Sequence, residues 1–249
     1  MKRFAFIPIL VLLTVMPGTA EDKVDGFVPR VHQNNRREKM PYRLFVPTPY
    51  DKSKKYPLVI WLHGAGGAGS DNLNQISGDQ IPGTRIWTKP ENQMRYPAFV
   101  LVPQSSGGWA SSSATQLSDE ERLVIEILNA LKSEFSIDTK RVYLSGQSNG
   151  GFGTWDLISK RPELFAAAIP LCGGGNTALA ASLVSMPIWA FHGEKDDVIP
   201  VEETRKMIAA IKKLGGTPRY TEYKGVNHEI WTPTFKEAGL VEWLFAQHK

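Results

Sequence analysis

Cysteine occurs once, at Cys172, in 249 residues, so no intramolecular disulfide can brace the fold and no set of spaced cysteines offers a zinc site. A chain of this size must then be stabilised by its apolar core. Cys172 closes an apolar run over residues 165–171, the setting of a buried, unreactive thiol. Internal repeats and low-complexity stretches are lacking too, which leaves nothing to divide the chain. An excess of one charge is also missing: 29 Lys and Arg face 25 Asp and Glu. That near balance predicts no nucleic-acid partner.

A long apolar run is present only at the start. Lys2 and Arg3 precede residues 4–16, and Gly18, Thr19 and Ala20 follow, the pattern of a signal peptide over residues 1–20. The run is short for a membrane span and contains Pro8. The mature chain, 21–249, is therefore expected as one domain, secreted or periplasmic, with no stable membrane association. Losing Lys2 and Arg3 lowers the formal charge from +4 to +2.

Residues 21–40 are polar and basic without a sustained period and read as a loop or solvated face. Residues 41–47 read as an edge strand, where prolines are tolerated. The runs 57–62 and 98–102 are continuously apolar, as strands buried on both faces of a parallel sheet are. The stretch 77–97 looks irregular. Ser118 and Glu121 form a capping box that opens an amphipathic helix over 119–135. Further strands are predicted at 141–144, 165–171, 186–191 and 217–223. Helices are predicted after Ser148, from Thr204 to a stop at Gly215 and Gly216, and at 240–247. Strands alternating with helices predict an α/β fold with a mostly parallel central sheet covered on both faces. The span from Cys172 to Met186 leaves no room for a large lid.

The stretch Gly146-Gln147-Ser148-Asn149-Gly150 sits where a strand runs into a helix. A serine at such a turn adopts a strained backbone that lifts its hydroxyl clear of the sheet, and this requires small residues two before and two after. A serine hydroxyl also needs a general base and a carboxylate to orient that base. His228, in the loop after the last strand, fits the base better than His248 at the frayed terminus. The loop Glu194-Lys195-Asp196-Asp197 offers the acid, and spacing alone leaves Asp196 and Asp197 level. Two backbone N–H groups must meet a developing oxyanion: Asn149 supplies one by position, and the loop Gly64-Ala65-Gly66 the other, with Ala65 favoured over Gly66. That loop lacks the spacings of a nucleotide-binding turn, and nothing calls for a cofactor or a metal. His63 and His192, each ending a strand before glycine, read as structural hydrogen-bonding groups. Trp109 and Trp231 lie in loops on the side where Ser148 emerges and are candidates for substrate contact.

Four blocks in order, Leu62-His63-Gly64-Ala65-Gly66-Gly67, Gly146 to Gly151, His192 to Pro200, and Gly225-Val226-Asn227-His228, resemble exported carboxylesterases of the α/β-hydrolase superfamily, near polyhydroxybutyrate-depolymerase-like esterases, feruloyl esterases and predicted peptidases. The resemblance implies an α/β-hydrolase fold over roughly residues 40–248, Asp196 as the acid, and the Ala65 and Asn149 amides as the oxyanion hole. Relatives often carry Met where this chain has Asn149. The implied activity is hydrolysis of short acyl or hydroxycinnamoyl esters, free or linked to plant polysaccharide. A secreted serine peptidase of the same fold is the enzymatic alternative, and a non-catalytic binding protein on a hydrolase scaffold is the other.

Overall fold

The computed structural model describes residues 23–249, so the signal-peptide reading of residues 1–20 lies outside the described residues. Eight strands form one sheet: β1 (Phe27–Gln33), β2 (Lys39–Phe45), β3 (Tyr56–Leu62), β4 (Phe99–Pro103), β5 (Ile137–Gln147), β6 (Ala167–Leu171), β7 (Trp189–Gly193) and β8 (Arg219–Tyr223). Their order across the sheet is β1-β2-β4-β3-β5-β6-β7-β8. β1 and β2 pair antiparallel with each other, and β2 antiparallel with β4. The remaining pairs are parallel. From β3 the chain steps outward to β4, then crosses back to β5 on the other side, so the loops after β3 and β5 flank a crevice at the carboxyl end of the sheet. Open α/β sheets bind ligands at such a point.

Seven α-helices accompany the strands among the described residues: α1 (Ile81–Arg85), α2 (Pro90–Arg95), α3 (Asp119–Glu134), α4 (Asn149–Lys160), α5 (Glu202–Lys213), α6 (Trp231–Thr234) and α7 (Leu240–Phe245). β3 and β4 are buried along their whole length because each is covered on both faces. Leu58, Ile60 and Leu62 of β3 pack with residues of α3, α4 and α5, while Val59 and Trp61 pack on the opposite face with Trp87, Phe235 and α7. Each fully buried aliphatic side chain contributes about 1.5–3 kcal/mol of transfer free energy, a core large enough to do without disulfides.

Three expectations need correction. The strand read at the edge over 41–47 is internal, because β2 pairs with β1 on one side and with β4 on the other. Residues 21–40 are not simply a loop: β1 runs through them, with Val31 half exposed on the sheet edge. Apart from Phe27, which is buried in the core, its fixings are polar and leave no apolar period. Arg30 makes a two-pronged pair with Glu134 of α3, at 2.7 and 2.9 Å, and His32 meets Glu126 at 3.0 Å. Residues 77–97 are not irregular either, since α1 and α2 fall there. Both are shorter than two turns and carry proline in the first turn, Pro82 and Pro90, where proline fits but so short a helix leaves no apolar period.

Helix α3 begins as its capping box requires: the Glu121 N–H donates to Ser118 Oγ at 3.0 Å, and the Ser118 N–H to Glu121 Oε2 at 2.9 Å. Glu121 is nevertheless buried beside Asp156 of α4, whose carboxylate accepts from Lys160 Nζ at 2.6 Å and from the Ser111 N–H at 2.8 Å. Burial first, and then the Asp156 charge, push the Glu121 carboxyl up to about 8 from its ordinary 4.5. The folded state thus keeps a proton that the unfolded chain loses above pH 4.5. A raised pKa means stability present in full below the unfolded value and lost as pH rises through the folded one, here on the order of 1 kcal/mol per pH unit. Glu121→Gln keeps the cap acceptor and removes the titration. Urea melts at pH 5 and 8 are expected to show a shallower pH dependence in the variant, and an identical slope would refute the assignment.

Candidate active site

Ser148 sits between the last residue of β5 and the first of α4 at φ 53°, ψ −116°, a conformation that costs a non-glycine residue on the order of 1–3 kcal/mol. Its neighbours make the turn possible. A Cβ on Gly146 would stand 2.4 Å from the Gly150 carbonyl oxygen, and one on Gly150 would stand 2.0 Å from that of Leu62, at the end of β3. Glycine at both positions is a requirement of close packing, and the Ser148 N–H is tied at 2.9 Å to the Leu171 carbonyl of β6.

The sheet then brings distant loops together. His228 Nε2 lies 2.9 Å from Ser148 Oγ, and its Nδ1 lies 2.7 Å from Asp196 Oδ2. Asp196 Oδ1 accepts from the backbone N–H groups of Val198, at 3.0 Å, and Ile199, at 2.8 Å. Burial pushes the Asp196 carboxyl up, but these N–H groups and the His228 ring outweigh it and hold the group below the usual carboxylate range. The geometry separates the two aspartates that spacing left level: the Asp196 side chain is fully buried against His228, whereas Asp197 is exposed and lines the cleft. Glu194 serves the neighbouring loop, accepting from the Gly225 N–H at 2.7 Å, and the Lys195 N–H donates to the Val226 carbonyl at 2.9 Å. The loops after β7 and β8 are thereby tied side by side, which fixes where His228 projects.

The cleft has a volume of about 480 Å³, and Ala65, Ser148, His228 and Trp231 are among its walls. Asp79, Asp197 and Glu229 line it as well. Asp79 comes from the stretch that read as irregular and is held by Gln147 Nε2 at 3.1 Å and Gln80 Nε2 at 2.8 Å. No periodicity could have singled it out. Ala65 opens a short 3₁₀ turn and Asn149 is the first residue of α4, so neither backbone N–H has an acceptor within its own helix. The Asn149 side chain turns away, its amide donating to the Gly107 carbonyl at 3.4 Å.

Of the two tryptophans, Trp231 stands on the cleft wall, edge-on to His228 with ring centroids 5.5 Å apart. Trp109 does not face the cleft. It is fully buried, its indole N–H donates to the His63 carbonyl at 3.0 Å, and Gly153 leaves it room, since a Cβ there would stand 2.3 Å from Trp109 Cβ. Trp109 therefore supports the Ala65 loop from below and does not contact substrate. His63 does the same from within the loop: it accepts from the Ser105 N–H at 3.0 Å, its Nδ1 meets the Gly64 carbonyl at 2.7 Å, and burial lowers its pKa to about 4. Spacing also gave no sign that Cys172, His192 and Asp196 meet, their polar atoms lying within 4.8 Å of one another.

A mostly parallel sheet of this strand order, with a serine on a strained turn after its fifth strand, defines an α/β-hydrolase. The chain belongs to the dienelactone hydrolase family, whose description matches residues 89–236. It is 28% identical to a probable feruloyl esterase C of Aspergillus niger over 69% of this chain and 59% of the relative. With a bifunctional acetylxylan esterase/xylanase of Neocallimastix patriciarum it shares 29% identity over 64% of this chain and 22% of the relative. The crystal structure of a thermostable esterase superposes with a TM-score of 0.86 at 38% identity, covering 91% of this chain and 64% of the other. The chain thus spans less than two thirds of each of these relatives. Among the described residues no helix is long and apolar enough to cross a membrane.

Proposed function

We propose that this protein is an exported serine carboxylesterase acting on short acyl or hydroxycinnamoyl esters, including esters carried by plant polysaccharide, and that residues 21–249 form its single catalytic domain after removal of a signal peptide. Ser148 Oγ attacks the ester carbonyl while His228 Nε2 takes its proton. Asp196 orients the ring and stabilises the imidazolium, and the Ala65 and Asn149 N–H groups hold the oxyanion. His228 then protonates the departing alcohol, and a water activated by the same ring hydrolyses the acyl-enzyme.

The observation that carries this reading is the unbroken hydrogen-bonded chain from Ser148 through His228 to Asp196, at 2.9 and 2.7 Å. Three further features support the substrate class. The cleft is open and within the size range of small-molecule sites, about 300–1,000 Å³. Trp231 and Val198 give it apolar walls for an acyl group. Its carboxylates Asp79, Asp197 and Glu229 suit the hydroxyls of a sugar alcohol, because an ionised carboxylate offers only acceptors. The relatives named for feruloyl and acetylxylan esters agree with that chemistry.

The test is a panel of nitrophenyl acetate, methyl ferulate, feruloylated arabinoxylan fragments and peptides offered to the mature chain. Ester hydrolysis with little or no peptide cleavage is expected. Peptide turnover without ester preference would replace this reading with a peptidase, and no turnover together with no reaction toward a fluorophosphonate would replace it with a binding protein.

A further inference from the structure

We propose that His192 is a positioning residue for the triad carboxylate, its buried Nε2–H donating to the same Asp196 oxygen that accepts from His228. The inference deepens the serine-esterase reading and rests on it. His192 is fully buried at the end of β7. Its Nε2 lies 3.1 Å from Asp196 Oδ2 and 3.0 Å from the Ile199 carbonyl oxygen. Both neighbours are acceptors, so Nε2 must carry the proton. On the other side of the ring Nδ1 lies 2.8 Å from Thr204 Oγ1 of α5, and that hydroxyl is also 2.6 Å from the Gly173 carbonyl oxygen. The ring is thus gripped from both sides, which leaves the single Nε2–H between the Ile199 carbonyl and the carboxylate, shared by the two acceptors.

Asp196 then has every lone pair engaged that could let it turn. Oδ1 is held by the Val198 and Ile199 N–H groups, and Oδ2 is shared between two imidazoles. Without His192, Oδ2 would be held by His228 alone, so the base and its carboxylate could shift together, and the undivided charge on Oδ2 would fall on His228. The first change misaligns the base. The second favours its imidazolium, so the acid limb of the pH profile moves upward. Desolvation keeps His192 itself neutral by lowering its pKa. The other groups facing this cluster are the Cys172 thiol just after β6, raised by burial, Glu222 of β8, which stands opposite His192 in register and is paired with Arg205 of α5, and the cleft carboxylates Asp79, Asp197 and Glu229.

The experiment compares His192→Phe, which removes the donor, with His192→Gln, whose amide nitrogen can replace Nε2, and with Asp196→Asn. His192→Phe is expected to lower kcat about 10- to 100-fold, the range typical when an outer partner orienting an active group is lost, with KM little changed and the acid limb of kcat/KM at higher pH. His192→Gln is expected to restore the wild-type limb. A folded His192→Phe with a wild-type acid limb would overturn the proposal, as would a His192→Gln no better than His192→Phe. Asp196→Asn separates the two levels: if it retains full activity, Asp196 is not the triad acid and the proposed mechanism itself fails, whereas collapse of Asp196→Asn beside an unchanged His192→Phe removes this inference alone. Imidazole proton–nitrogen spectra of the wild-type protein need no folded variant. They are expected to show His192 protonated at Nε2, with a resonance that moves when Ser148 is phosphonylated. Protonation at Nδ1 alone would contradict the geometry.

Discussion

Ser148→Ala is expected to lower kcat/KM for a nitrophenyl ester by about 10⁴-fold or more while leaving the fold intact, a barrier increase of about 5 kcal/mol or more. Alanine tolerates the strained turn no worse than serine does, and the Ser148 N–H keeps its bond to the Leu171 carbonyl. The variant therefore loses the nucleophile and little else. What survives is the help that any ester receives from the two oxyanion donors and from binding. Groups that act as one unit are not additive. The double variant Ser148→Ala/His228→Ala is expected to be no slower than Ser148→Ala, and a further large drop would show that His228 serves a separate step. Thermal melts of both variants within a few degrees of wild type would exclude unfolding as the cause.

The second large effect is structural in origin and catalytic in outcome. Gly150→Ala places a methyl group 2.0 Å from the Leu62 carbonyl oxygen, 2.5 Å from its carbon and 2.8 Å from the His63 carbonyl oxygen. All three are backbone atoms at the end of a central strand buried on both faces, so no side chain can swing aside. Relief requires moving α4 away from β3 by roughly an ångström, at a cost of about 3 kcal/mol or more. That displacement separates the Asn149 amide from the Ala65 amide and pulls Ser148 out of line with His228. An ångström of misplacement alone can cost about 10²-fold in rate. Gly107→Ala is the matched control, because a Cβ there meets nothing within 4 Å and surface changes of this kind stay within about 0.5 kcal/mol. Equal melting temperatures and equal rates for Gly150→Ala and wild type would refute the close-packing argument.

What sequence could and could not show follows from where each piece of information is stored. The turn carrying Ser148 is legible because its constraint is local: two glycines, a strand before and a helix after. The α3 capping box and the doubly buried β3 and β4 are local or periodic in the same way. β1 escapes because it is anchored by Arg30 and His32 to acids about a hundred residues away, with separations of 104 and 94. Trp109 misleads for a similar reason. A tryptophan in a run of serines and glycines looks like a cleft residue, yet the His63 carbonyl satisfies its indole and Gly153 gives it space. Asp196 and Asp197 are chemically alike, and only the path of the loop between β7 and α5 buries one and exposes the other. His192 read as structural because its meeting with Asp196 depends on that same path.

The proposal of an acyl-enzyme on one serine is tested most directly by labelling. The mature protein is treated with a fluorophosphonate, weighed intact, digested and sequenced by mass spectrometry. A single adduct on Ser148, absent from Ser148→Ala and formed far more slowly in His228→Ala, is the expected result. Esterase activity that persists with Ser148 unmodified, or an adduct on another residue that abolishes turnover, would contradict the account.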